Sequence, residues 1–89
     1  METFLENKGF SLATDIDDFY SLMQPRIENF IAYEKQVSKY SILAERGLGI
    51  LSKNHWVISV YIGDGLIGKV EILTPEQLSM FLNIYAINL

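Results

Sequence analysis

The chain has no cysteine. That absence excludes disulfides, thiol nucleophiles and zinc–thiolate sites together, and it points to a reducing compartment rather than to a small secreted domain held by disulfides. Histidine occurs once, as His55. A metal site would need carboxylates converging on it from elsewhere, and neither ligand spacing nor a serine–acid constellation surrounds it, so no catalytic, cofactor-binding or metal residue is assigned. No apolar run reaches the roughly 18 residues a membrane-spanning helix needs. The opening METFLENKGF carries Glu2 and Glu6 and no long apolar stretch, unlike a secretory leader. A cytoplasmic protein with no membrane partner is expected. Positive charge is also scarce. The net charge is −4, and residues 26 to 69 hold six basic against four acidic residues, a weak electrostatic footprint for nucleic acid.

What is present is apolar. Of 89 residues, 49% are hydrophobic and 12% aromatic, enough for one ordered domain over 1–89. Small domains bury proportionally less surface, so stabilisation by self-association or by binding a partner is expected.

ETFLENK, ahead of Gly9, reads as a short helix or an extended arm. Thr14 with Asp17 resembles a capping box, and Ile16, Phe19, Tyr20 and Met23 follow on one helical face. Pro25 breaks that helix or opens the next one. From about 26 to 46 the spacing of Phe30, Tyr33, Val37, Tyr40 and Ala44 is 3, 4, 3, 4, which predicts one long helix ended by Gly47. Lys35, Lys39 and Arg46 would then form a basic stripe on its other face.

Residues 48–73 change character. HWVISVYI and LIGKVEIL are strand-like by composition and alternation, giving a hairpin, or a three-stranded meander if GILS adds a strand. The last element has Thr74 as N-cap, Pro75 in the first turn and Gln77 completing a capping box, predicting a helix over 75–88 packed on the sheet. The expected fold class is α+β.

GDGLIGKV (63–70) matches the G-x-G-x-x-G spacing of nucleotide loops. A dinucleotide loop must open a helix whose N-terminus holds the pyrophosphate, yet KVEIL follows. A kinase loop needs a lysine on a following strand, and no basic residue comes after Lys69. The glycines are better read as a turn. A three-residue loop, Gly63-Asp64-Gly65, keeps core faces together by pairing Ile62 with Leu66, Ile58 with Val70 and Trp56 with Ile72. Gly68 then faces Val60 and leaves room for a bulky neighbour.

Three groups remain as candidates. Met80, Ile84 and Ile87 form a second apolar face on the last helix, to be covered by the long helix or by another molecule. Asp15, Asp17 and Asp18 fit a first helical turn and offer an acidic patch to a basic partner. Tyr33 and Tyr40 are candidate aromatic anchors. Together they suggest a non-enzymatic module that binds another protein by surface complementarity. Such modules include inhibitors, immunity proteins, antitoxins and regulatory subunits of phage or bacterial type. A homodimer is expected. The alternative is a nucleic-acid-binding regulator using Lys35, Lys39 and Arg46.

Overall fold

The computed structural model describes residues 1–13, 31–46 and 55–89. Among them, helix α1 (Glu2–Asn7) is followed by strands β1 (Ser11–Leu12), β2 (Ile31–Val37), β3 (Tyr40–Arg46), β4 (Trp56–Ile62) and β5 (Gly65–Ile72), and by helix α2 (Pro75–Asn83). The strands form one antiparallel sheet in chain order, with β1 and β5 at its edges. The fold is α+β, with α2 against the sheet. Leu5 of α1 and Leu78 and Leu82 of α2, all fully buried, join Tyr33, Ile42, Ala44, Trp56, Ile58, Val60 and Ile72 of the strands in a single core.

The long helix is replaced by strands. Residues 31–46 form a β-hairpin that turns at Ser38-Lys39, with Val37 opposite Tyr40 and Tyr33 opposite Ala44. The 3, 4 spacing is degenerate between the two structures. Residues four apart share a face of a strand as they do of a helix, so Tyr33 and Val37 line one face of β2, and Tyr40 and Ala44 one face of β3. The step of three from Val37 to Tyr40 spans the turn. Ser38 takes φ 54° there, a left-handed conformation that usually announces itself with glycine or asparagine. The helix expected after Thr14, the stop at Gly47 and the GILS strand lie outside the described residues, as do 26–30.

The β4–β5 hairpin has the core register expected of it: Trp56 opposite Ile72, Ile58 opposite Val70 and Val60 opposite Gly68. Its turn is shorter. Ile62 pairs with Gly65, so Gly63-Asp64 is a two-residue turn, with Gly63 supplying φ 58° at the first position as a type II′ turn requires. A bulge at Ile67, left between Tyr61–Leu66 and Val60–Gly68, restores the parity that the shorter loop would have lost.

At the C-terminus the capping box forms as expected. The Gln77 N–H donates to Thr74 Oγ1 at 3.3 Å, and Gln77 Oε1 accepts from the N–H of Thr74 at 3.2 Å. The helix ends at Asn83, short of the expected 88. Ala86 adopts φ 57°, the Ala86 N–H bonds to the Asn83 carbonyl and the Ile87 N–H to the Leu82 carbonyl, both at 3.0 Å. This is a Schellman ending without its usual glycine, and it folds Ile87 back into the core beside Leu82. Ala86→Gly should therefore stabilise the protein. Relief of left-handed strain, about 1–2 kcal/mol, outweighs the added chain entropy of glycine, about 0.5–1 kcal/mol. A thermal melt of the two proteins checks the sign.

Candidate interaction surface

The outer edge of β5 is unpaired among the described residues. Which of its backbone groups point outward follows from the turns. Val37 and Tyr40 flank a two-residue turn and so exchange both backbone hydrogen bonds. Alternation then turns the odd residues of β2 toward β3 and its even residues toward β1. The bond from the Ala13 N–H to the Ala32 carbonyl, 2.9 Å, has that phase. Carried across the sheet, the alternation points Trp56, Ile58 and Val60 of β4 at β5, where they meet Ile72, Val70 and Gly68. The N–H and C=O groups of Lys69 and Glu71 are left facing outward. The bulge at Ile67 and the charges of Lys69 and Glu71 are features that discourage indiscriminate strand addition, so the edge admits only a strand whose charges match that pair.

Apolar side chains surround that edge. Ile67, Leu66 and Leu73 are 40%, 52% and 53% exposed, and Met80 and Ile84 of the α2 segment reach 70% and 74%. A groove of about 350 Å³ runs between β5 and α2, lined by Val70, Glu71, Ile72, Gln77, Met80, Phe81 and Ile84. Gly68 lies nearby on β5 under the Tyr85 and Phe81 rings. A side chain there would collide with the Tyr85 ring, which lies edge-on to Phe81 with centroids 5.5 Å apart; this is the bulky neighbour the glycine was expected to admit. The N-terminal end of α2 is fixed by Gln77, whose Oε1 also accepts from the Leu73 N–H at 2.6 Å.

The candidate residues divide clearly. Met80 and Ile84 are exposed and border the groove. Ile87 is not an interface residue: it is 4% exposed, because the chain leaves the helix before reaching it. Tyr33 is not a surface anchor either. It is 3% exposed, faces Trp56 at 6.3 Å and donates its hydroxyl to Glu6 Oε1 at 2.9 Å. Tyr40 is half-buried against Tyr85. Asp15, Asp17 and Asp18 lie outside the described residues. The basic stripe is dispersed, since its helix does not exist. The Lys35 amine donates to the Lys8 carbonyl, Lys39 sits over the Tyr40 ring, and Arg46 pairs with Glu2 at 2.5 Å while covering Trp56. Lys39, in the turn before β3, and Arg46, at the far end of that strand, are about 23 Å apart at strand rise. His55 immediately precedes β4.

The residues that sequence reasoning missed are Lys69, Val70 and Glu71. Their strand was legible, but nothing local says which side of a hairpin the sheet extends from. A larger hollow of about 680 Å³ opens elsewhere on the sheet, near Ser11, Glu34, Gln36, Ser41 and Tyr61. Two of its polar side chains are engaged, the Ser41 hydroxyl donating to Gln36 Oε1 at 2.6 Å and Gln36 Nε2 to the Ser38 carbonyl at 3.0 Å.

Burial, and then the hydrogen bond to Glu6, push the Tyr33 phenol up to about 12. The folded protein therefore holds the proton that the unfolded chain releases near pH 10. By linkage, the Tyr33 contribution is complete below pH 10 and is lost as pH rises from 10 to 12. Urea titrations of wild type and Tyr33→Phe should run parallel from pH 7 to 9 and converge above pH 10.

Among the described residues no helix is long and apolar enough to cross a membrane, and no group of histidine, aspartate and glutamate side chains is arranged to hold a metal ion. Compared with protein families, curated proteins and solved structures, the chain matches none.

Proposed function

We propose that this chain is a non-enzymatic protein-binding module, of the inhibitor or regulatory-subunit kind, acting in a reducing compartment through the edge of β5 that is unpaired among the described residues and the adjoining face of α2. One observation carries the reading: outward backbone groups at Lys69 and Glu71 stand beside an apolar groove bordered by Met80 and Ile84. The two parts match the two components of strand addition, in which main-chain hydrogen bonds give affinity and a side-chain groove gives selectivity. Exposed apolar area concentrated at one place marks interaction sites more than single scattered residues do.

The test is affinity capture from native lysate after nuclease treatment, with wild type and Ile84→Asp compared. A partner retained by wild type and lost by the folded variant is the expected result. Equal capture by both would remove this surface as the binding site.

A further inference from the structure

We propose that the occupant of the β5 edge is the β5 edge of a second copy, antiparallel across a two-fold axis at Val70. This rests on the reading of the β5–α2 surface as an interaction site and names its partner.

Two features place the axis. The first is the stretch of edge left open. On one side the bulge at Ile67 interrupts the strand, and the Ile67 carbonyl already accepts from the Tyr85 hydroxyl at 3.4 Å. On the other, the Leu73 N–H is taken by Gln77. Val70 lies midway between Ile67 and Leu73. The second feature is charge. Only registers that oppose two outward-facing residues can exchange hydrogen bonds with both chains. Centring on Lys69 opposes two lysines, and centring on Glu71 opposes two glutamates. Centring on Val70 sets each Lys69 against the partner's Glu71 on the same face, twice over. Opposite charges directly across a strand pair attract, and like charges repel.

That register also accounts for the apolar side chains. Val70 meets its own copy at a pair without mutual hydrogen bonds, where side chains approach most closely. Gly68 stands opposite Ile72, so a small residue faces a large one. Both α2 helices lie on the same side of the joined sheet, which brings Met80 and Ile84 toward their counterparts over the axis. An isologous contact of this kind closes on itself and does not propagate into a fibre.

The test is sedimentation of the full chain over a concentration series, with charge variants that leave the core alone. Wild type should form a dimer. Lys69→Glu replaces two attractions by two repulsions and should raise the dimer dissociation constant by roughly tenfold or more. Lys69→Glu with Glu71→Lys should restore it. A second measurement uses the absence of native cysteine: Val70→Cys should cross-link to itself under oxidation, since opposed Cα atoms at such a pair are about 4.5 Å apart and within disulfide reach. Lys69→Cys alone should not cross-link, but mixed with Glu71→Cys it should. A monomeric wild type, a dimer indifferent to Lys69→Glu, or failure of the double swap to restore dimerisation would overturn the inference. A monomer that still captures a protein in an Ile84-dependent way would overturn the second copy alone. A monomer with no such capture would overturn the wider function as well.

Discussion

Leu82→Ala should lower the stability of the folded chain by roughly 2–5 kcal/mol, while Ile84→Asp, two positions on, should cost less than about 1 kcal/mol. Leu82 is fully buried in the core shared by α1, α2 and the sheet. Its truncation loses transfer free energy and leaves a cavity that flanking strands close only in part. Its carbonyl also anchors the Ile87 N–H, so the cavity opens beside the turn that returns the C-terminus to the core. A chain this size has a total stability of only about 4–13 kcal/mol, which makes the loss visible as a lower urea midpoint with the denaturant slope unchanged. Ile84 is 74% exposed, and the main penalty for aspartate there is a negative charge at the C-terminal end of a helix, about 0.3–1 kcal/mol. Because the two positions sit on one helix end, the contrast separates core from interface. Equal destabilisation by both substitutions would show that Ile84 is packed, and the interaction surface would lose its centre.

The sequence was legible where local chemistry and period agreed. Thr74, Pro75 and Gln77 specify a helix start that needs no tertiary contact, and the capping box forms. The alternation from Trp56 to Ile72 is bound to one register because a slip of one residue would expose every inward side chain. That register is present although the turn beneath it is a residue shorter, the bulge at Ile67 absorbing the difference. Residues 31–46 do not follow the helical reading because the spacing of Tyr33, Val37, Tyr40 and Ala44 fits two strands and a turn as well as one helix, and the pairing of β3 with β4, a long-range contact, decides between them. The two positions that would have corrected the reading, Ser38 and Ala86, hold left-handed conformations without glycine. The end of α2 was missed for the same reason, and with it the burial of Ile87. Met80 and Ile84 were legible as a second apolar face. The edge they border was not, because strand order is a long-range property.

Gly68→Val should destabilise the wild-type chain by about 1–3 kcal/mol, yet be neutral or stabilising once Tyr85 is alanine. A Cβ at position 68 would lie 1.9 Å from the Tyr85 hydroxyl oxygen, 2.9 Å from its Cζ and 3.3 Å from Phe81 Cζ. The hydroxyl is the end of a side chain and can swing, but the ring behind it cannot stay. Leaving breaks its hydrogen bond to the Ile67 carbonyl, its edge contact with Phe81 and its contact with Tyr40 at 6.2 Å. In the Tyr85→Ala background the collision with the hydroxyl and its ring is gone. The close approach to Phe81 Cζ at 3.3 Å remains, and the Phe81 ring relieves it by shifting into the space Tyr85 vacates. Valine in a strand is favoured over glycine by up to about 1 kcal/mol. A double-mutant cycle in urea therefore predicts a coupling that reverses the sign of the Gly68 substitution. Additive effects would mean that Gly68 is required for the backbone of the bulge and not for the ring above it. If the coupling holds, the glycine that resembled a phosphate-binding loop is a seat for Tyr85. The same seat leaves position 68 small where the register of the second copy sets it against Ile72, so Gly68→Val should weaken the dimer along with the fold.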